Sequence, residues 1–168
     1  MLRLSQQVFD ALRQHGEETY PLECCGVFLG HFLAEGRPVN DVEEAVRAEN
    51  ARADSAHNRY RIEPRELIRI QRNGRERGLE IVGFYHSHPD HPAQWSETDF
   101  AEAHWIGCSY VITEVNKGAA RQTRSFLLAG CGEHDKRFEN EAMEVTGQLD
   151  PGLEPEAISD IKREGDVR

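Results

Sequence analysis

Apolar positions along the chain recur with helical spacing in some stretches and strand spacing in others, and the switches between them mark a mixed order of elements. Ser5 is a good N-cap, and Val8, Phe9, Ala11 and Leu12 follow it at helical spacing, which predicts a first helix from about Ser5 to Gly16 or somewhat beyond. Cys25 to Leu29 is a short apolar run bounded by Gly30 and reads as a buried strand. Residues 37–50 read as a further strand, with Val42 to Val46 equally compatible with a helix. Asn58 to Ile62 alternates as a strand does. Pro64 stands at a favoured first helical position and opens a helix that should carry Leu67, Ile68 and Ile70 inward, with Gly74 or Gly78 as its end. Leu79 to Tyr85 is rich in β-formers and predicts a buried strand running into His86. A short helix is expected after Ser96. Ser109 to Val115 and Thr123 to Ala129 predict two more strands, separated by a polar turn at Asn116-Lys117-Gly118. Phe138 to Val145 alternates weakly, as a last edge strand would. From Thr146 the composition turns to Gly, Pro, Asp and Glu, so residues 146–168 read as an acidic tail, an appendage or flexible end to an α/β domain of residues 1–145.

Composition narrows the class. The chain has 168 residues, enough for one domain with a proper core, and 38% of them are hydrophobic. No apolar run approaches the ~20 residues of a membrane span, and the N-terminus lacks the long apolar segment of a signal peptide. A cytoplasmic protein without a membrane partner is therefore expected. The net charge of −10 argues against nucleic-acid binding. That charge is uneven: Arg59 to Arg77 holds seven arginines against three glutamates. Such a stretch is either a solvated helix face with Glu–Arg pairs or a surface for an acidic partner. Cys24, Cys25, Cys108 and Cys131 show no Cys-x-x-Cys spacing and are expected to be reduced, filling space as small apolar groups. Cys24 and Cys25, being adjacent, would point to opposite faces of a strand.

The chemistry gathers after the central strand. His86 and His88 alternate along it and so share a face, half of a tetrahedral metal site. Asp99 lies in the first turn of the short helix, and Ser96-x-x-Asp99 is by itself a capping box. His91 is a rival third ligand, although its place between Asp90 and Pro92 suggests a solvent-facing loop. His104, five residues beyond Asp99, would be rotated away. Taken together, His86-Ser87-His88, seven residues, Ser96, two residues and Asp99 resemble the signature of the JAMM (MPN+) zinc metalloproteases. That family also uses a glutamate upstream, at the entry to a Gly-containing apolar strand, and Glu23 stands so before Cys24-Cys25-Gly26-Val27.

The resemblance implies a single JAMM/MPN-like domain, a curved mixed β-sheet flanked by helices. It implies zinc on His86, His88 and Asp99, with the fourth position left for water as in catalytic sites. Glu23 would be the proton-transferring base, and Ser96 would hydrogen-bond the oxyanion of the tetrahedral intermediate. Ser96 would then have two demands on one hydroxyl, cap and donor. The implied activity is that of a zinc-dependent isopeptidase acting at the C-terminal Gly-Gly of a small ubiquitin-like sulfur-carrier protein, for example releasing cysteine. The alternatives are a deubiquitinase-like isopeptidase, a non-catalytic MPN scaffold, which the full set of ligand-type residues disfavours, and a zinc protein of the RadC type.

Overall fold

The computed structural model describes residues 1–34, 38–52 and 59–147. The chain runs β1 (Leu2–Ser5), α1 (Gln6–Thr19), β2 (Cys25–Leu33), β3 (Val39–Ala48), α2 (Pro64–Glu76), β4 (Glu80–Pro89), α3 (Glu97–Glu102), β5 (Ser109–Asn116), β6 (Ala119–Ala129), β7 (Arg137–Glu141) and β8 (Met143–Thr146). The strands form one mixed sheet in the order β7-β6-β5-β4-β2-β3-β1-β8. β7 and β8 stand at opposite edges, yet only Ala142 separates them in the chain. Two strands so joined can occupy both edges only if the sheet curls round towards closure. The result is a single α/β domain with a curled mixed sheet.

β4 lies inside this sheet, antiparallel to β2 and parallel to β5. A parallel pair needs a crossover, and α3 lies in the one between β4 and β5. The pleat of β4, shifted by a bulge at Val82 where the pairing with β2 skips a residue, divides the core. Val82, Tyr85 and Val111 pack with Leu2, Val8 and Leu12 under α1. Ile81, Phe84 and Tyr110 pack with Ile70 and partly buried Leu67 of α2 and Phe100 of α3. Cys24 and Cys25 fall into these opposite clusters, as adjacent strand positions should, and all four cysteines are free. Gly26 pairs with Tyr85, and a side chain there would collide with the tyrosine ring. The turn between β5 and β6 places Lys117 and Gly118 at positive φ (51° and 80°), the backbone a tight hairpin requires.

Several sequence expectations need correction. β1 was not foreseen; it is four residues long, too short for a periodic signal, but Leu2 and Leu4 are fully buried. β2 does not stop at Gly30 but continues to Leu33, because Gly30 sits at a register shift where the backbone of Asp41 comes too close for any side chain. Residues 59–62 are not a strand; Arg61 is held instead by Asn50 and Ala51. Asn58 lies outside the described residues. Ile68 faces solvent, 60% exposed, because Ile70 and Gly74 form the buried face of α2. The single edge strand expected at 138–145 is two strands, β7 and β8. Of the expected tail, residues 148–168 lie outside the described chain. Among the described residues, no helix is long and apolar enough to cross a membrane.

Candidate metal centre and its surroundings

β4 carries His86 and His88 out on the face shared with α2 and α3, both buried. Their Nε2 atoms stand 3.0 Å apart. Asp99 approaches from α3, with Oδ1 3.3 Å from His86 Nε2 and Oδ2 3.6 Å from His88 Nε2. The local reason for Asp99's position is the capping box. Ser96 N–H and Oγ–H both donate to Asp99 Oδ2 at 2.7 Å, and Asp99 N–H donates to Ser96 Oγ at 3.2 Å. His88 is fixed from behind by Nδ1 at 2.9 Å from the Pro92 carbonyl, which makes Nδ1 the protonated nitrogen and leaves the Nε2 lone pair facing the cluster. Tyr60 stacks on the His86 ring, centroids 4.6 Å apart.

The three ligand atoms lie within 4.8 Å of one another, an arrangement that could hold a metal ion. Ligands placed tetrahedrally around zinc at ~2.0–2.2 Å would be about 3.3–3.6 Å apart. The two Nε2 atoms 3.0 Å apart, and the Asp99 oxygens 3.3 Å (Oδ1, from His86) and 3.6 Å (Oδ2, from His88) from them, approach that spacing, each imidazole facing a different carboxylate oxygen. Two imidazoles and one carboxylate are also a donor set zinc accepts, so residues and geometry both fit the ion.

Glu23 enters from the segment between α1 and β2. Cys25 pairs with His86, and Cys24 exchanges hydrogen bonds with Ser87, so the same antiparallel register brings Glu23 level with His88. Glu23 is 4% exposed. Burial pushes its carboxyl up to about 8, with the His88 imidazole opposing that rise and Asp99 and Glu102 adding to it. Burial works on Asp99 in the same direction, but hydrogen bonds to His86 and His88 outweigh it and hold that carboxylate well below the usual range. Two acids in one site are thus driven apart, one to keep its charge and one to take up a proton.

The structure brings together all five residues singled out from the sequence: His86, His88, Asp99, Ser96 and Glu23. His91 is exposed and outside the cluster, and His104 turns to Glu133 on the surface, 2.8 Å away. Sequence reasoning missed Tyr60 and Asn50. The Asn50 amide donates to the carbonyls of Glu23 (3.2 Å) and Arg59 (3.0 Å), and its Oδ1 accepts from Arg52 N–H (3.0 Å) and Arg61 N–H (3.1 Å). One side chain therefore ties the Glu23 segment to the segment bearing Tyr60. No local spacing announces such a residue, because its partners are distant in sequence. Beside His86 and Tyr60 opens a cleft of about 430 Å³ lined by Leu67, Phe84, Trp105 and Tyr110, with Arg52 and Glu102 also on its wall.

The family described as prokaryotic homologs of the JAB domain matches residues 5–128. A desampylase of Haloferax volcanii is 30% identical over 119 residues, covering 66% of this chain and 78% of the relative. Among solved structures, a protein from Salinibacter ruber is 34% identical, with a TM-score of 0.64 over 90% of this chain and 94% of its own. A protein from Desulfitobacterium hafniense matches with a TM-score of 0.69 at 24% identity, over 86% of this chain and 94% of its own. A JAB1/MPN domain protein from Archaeoglobus fulgidus matches with a TM-score of 0.52 at 14% identity, over 86% and 96%. The last two bear on the fold alone.

Proposed function

The chain belongs to the family of prokaryotic homologs of the JAB domain, and from that premise we propose that it is a zinc-dependent isopeptidase. Its substrate is a small ubiquitin-like sulfur-carrier protein, cut at the bond that follows the C-terminal diglycine, with cysteine as the group released. The observation that carries this is the convergence of His86, His88 and Asp99 beside a buried carboxyl, Glu23, that binds protons unusually well. The similarity to a desampylase supports a ubiquitin-like protein as the substrate class.

Zinc bound by His86 Nε2, His88 Nε2 and an Asp99 oxygen would supply Lewis acidity and bring the pKa of a bound water towards ~7. The protein's own groups do the rest. Glu23, ionised beside the positive charge of a loaded site, accepts the proton of the attacking water. The water oxygen adds to the scissile carbonyl carbon, and the C–N bond then breaks. Glu23 returns its proton to the departing amine, so the acid ends the cycle as a carboxylate. A carboxyl whose surroundings favour the protonated form is well suited to hold that proton between the two steps.

Ser96 is the oxyanion donor in this scheme. Its hydroxyl proton points to Asp99 Oδ2, whereas the cap uses the oxygen as an acceptor from Asp99 N–H. Turning the proton towards an oxyanion would therefore keep the cap, and Ser96 N–H would still hold Asp99 Oδ2. The two demands on the hydroxyl are compatible.

The test is mass spectrometry of a sulfur carrier bearing a C-terminal cysteine adduct, incubated with the zinc-loaded protein beside ubiquitin chains. Shortening of the carrier by one cysteine is expected. Rapid cleavage of ubiquitin chains with the adduct left intact would overturn the substrate, and inertness towards both would overturn the activity.

A further inference from the structure

α2 turns Ile70 and Gly74 to the core and leaves Arg65, Ile68, Arg72 and Arg75 exposed. These four stand at i, i+3, i+7 and i+10, one stripe of a helix. Arg69 pairs with Glu66 at 3.5 Å and Arg77 with Glu44 at 2.6 Å. Among the described residues, no ion pair engages Arg65, Arg72 or Arg75. A chain of net charge −10 thus gathers three uncommitted guanidinium groups around an isoleucine that is 60% exposed. A single exposed apolar residue is ordinary on a protein surface, so the weight of Ile68 comes from what adjoins it.

The stripe is also continuous with the site. Ile68, Gln71, Arg72 and Arg75 line a depression of about 410 Å³. Gln71 and Arg75 line a second, of about 260 Å³, together with exposed Phe32 and with Trp105. Trp105 in turn lines the cleft that reaches Tyr60 beside His86. Two glycines offer an enzyme no side chains to recognise, so selectivity among diglycine-tailed proteins has to be exercised on the body that carries the tail.

We propose that this strip, with Arg65, Ile68, Arg72 and Arg75 at its far end, is the docking surface for the globular body of the ubiquitin-like substrate, and so rests on the isopeptidase activity assigned above. The matching face of that body is apolar at its centre and acidic at its rim, the inverse of the stripe. A protein fits better than a nucleic acid. The exposed centre of the stripe is aliphatic, where single strands need aromatic stacking.

The experiment is a binding titration with the Glu23→Gln protein. The probes are an acidic ubiquitin-fold protein ending in Gly-Gly and a version whose acidic rim is changed to lysine. At low salt, Arg65→Glu/Arg72→Glu/Arg75→Glu added to Glu23→Gln should weaken binding of the acidic probe at least ~10-fold and flatten its salt dependence. Ile68→Asp should weaken it at both low and high salt. The lysine-rimmed probe should bind the triple-glutamate protein better than it binds the parent. In the Glu23 background, release of cysteine from a short peptide ending in Gly-Gly-Cys should be unchanged by the α2 substitutions. Equal binding by parent and α2 variants, no binding by the parent, or a parent preference for nucleic acid would overturn the docking surface. If the Glu23→Gln parent binds the probe but the Glu23 protein leaves the Gly-Gly-Cys peptide uncut, the isopeptidase activity is overturned while the docking surface stands.

Discussion

The two halves of the site are built in different ways. His86, His88 and Asp99 come from regular elements, β4 and the first turn of α3, where backbone pairing and a capping box set each side chain. Glu23 and Tyr60 come from irregular segments, one before β2 and one before α2, held together through Asn50. The first half gets its precision from short-range geometry, the pleat of a strand and the three-residue reach of a cap. The second gets it from hydrogen bonds between residues far apart in sequence. A metal needs ligand atoms placed to a few tenths of an ångström, which regular backbone provides. A proton carrier must reach more than one atom during a reaction, and a tethered segment allows that.

The sharpest way to break this comparison is to remove a ligand. Asp99→Ala takes away the only carboxylate of the cluster and one side of the α3 cap. It should abolish zinc retention and lower turnover by roughly 10³-fold or more, the scale on which metal-assisted hydrolysis depends on its ion. Ser96→Ala serves as the control, losing the cap, worth ~1 kcal/mol, while keeping the metal. Metal analysis after dialysis against chelator decides. An Asp99→Ala protein that retained zinc with full occupancy would show that the metal-binding half is not the one described.

The same contrast explains what the sequence revealed. The spacing His86-x-His88 and the Ser96-x-x-Asp99 box are local patterns, and local patterns survive into the fold with their meaning intact. Glu23 was reached only because its strand has a recognisable resemblance; nothing near it distinguishes it from a surface acid. Tyr60 was read as a position in an alternating strand, and that strand does not exist. The split of residues 137–146 between opposite edges was illegible for a related reason: curling is a property of the whole sheet, while each short segment shows only alternation. Ile68 looked inward because it is apolar, but the 3.6-residue period fixed by Ile70 and Gly74 turns it out.

The second break separates chemistry from stability. Glu23→Gln should keep the metal and lose turnover by ~10²–10⁴-fold, the usual weight of a general base. In metal-free protein the same substitution should stabilise at alkaline pH. Burial pushes the folded carboxyl up to about 8 from its ordinary value of 4.5, so the native state holds its proton longer than the unfolded chain. Its contribution to stability is complete below 4.5 and is lost as pH rises through 8, at about 1.4 kcal/mol per unit between the two. Parent and variant should therefore differ by less at pH 4.5 than at pH 8.5, with glutamine the more stable at the higher pH. Urea unfolding of both proteins at the two pH values measures it. A pH-independent difference would mean that burial does not hold Glu23 protonated.

The smallest expected effect is the most specific to the tethered half. Asn50 uses both ends of its amide, donating to the Glu23 and Arg59 carbonyls and accepting from Arg52 and Arg61 N–H groups. Asn50→Asp keeps the oxygen that accepts from Arg52 and Arg61 N–H and removes the donor, so the Glu23 and Arg59 carbonyls are released together. If the tether acts by positioning Glu23, turnover should fall ~10-fold with KM within about twofold, since the group that moves is one the transition state needs more than the bound substrate does. Zinc content should be unchanged, because His86, His88 and Asp99 keep their own supports. Asn50→Gln, with the same donor and acceptor on a longer arm, should recover part of the lost turnover if one methylene can be accommodated. A purely structural role predicts otherwise: equal losses for Asp and Gln, accompanied by a lower midpoint of unfolding. Turnover at the parent's rate in Asn50→Asp would show that Glu23 keeps its place without the tether, and the two halves of the site would then be held alike.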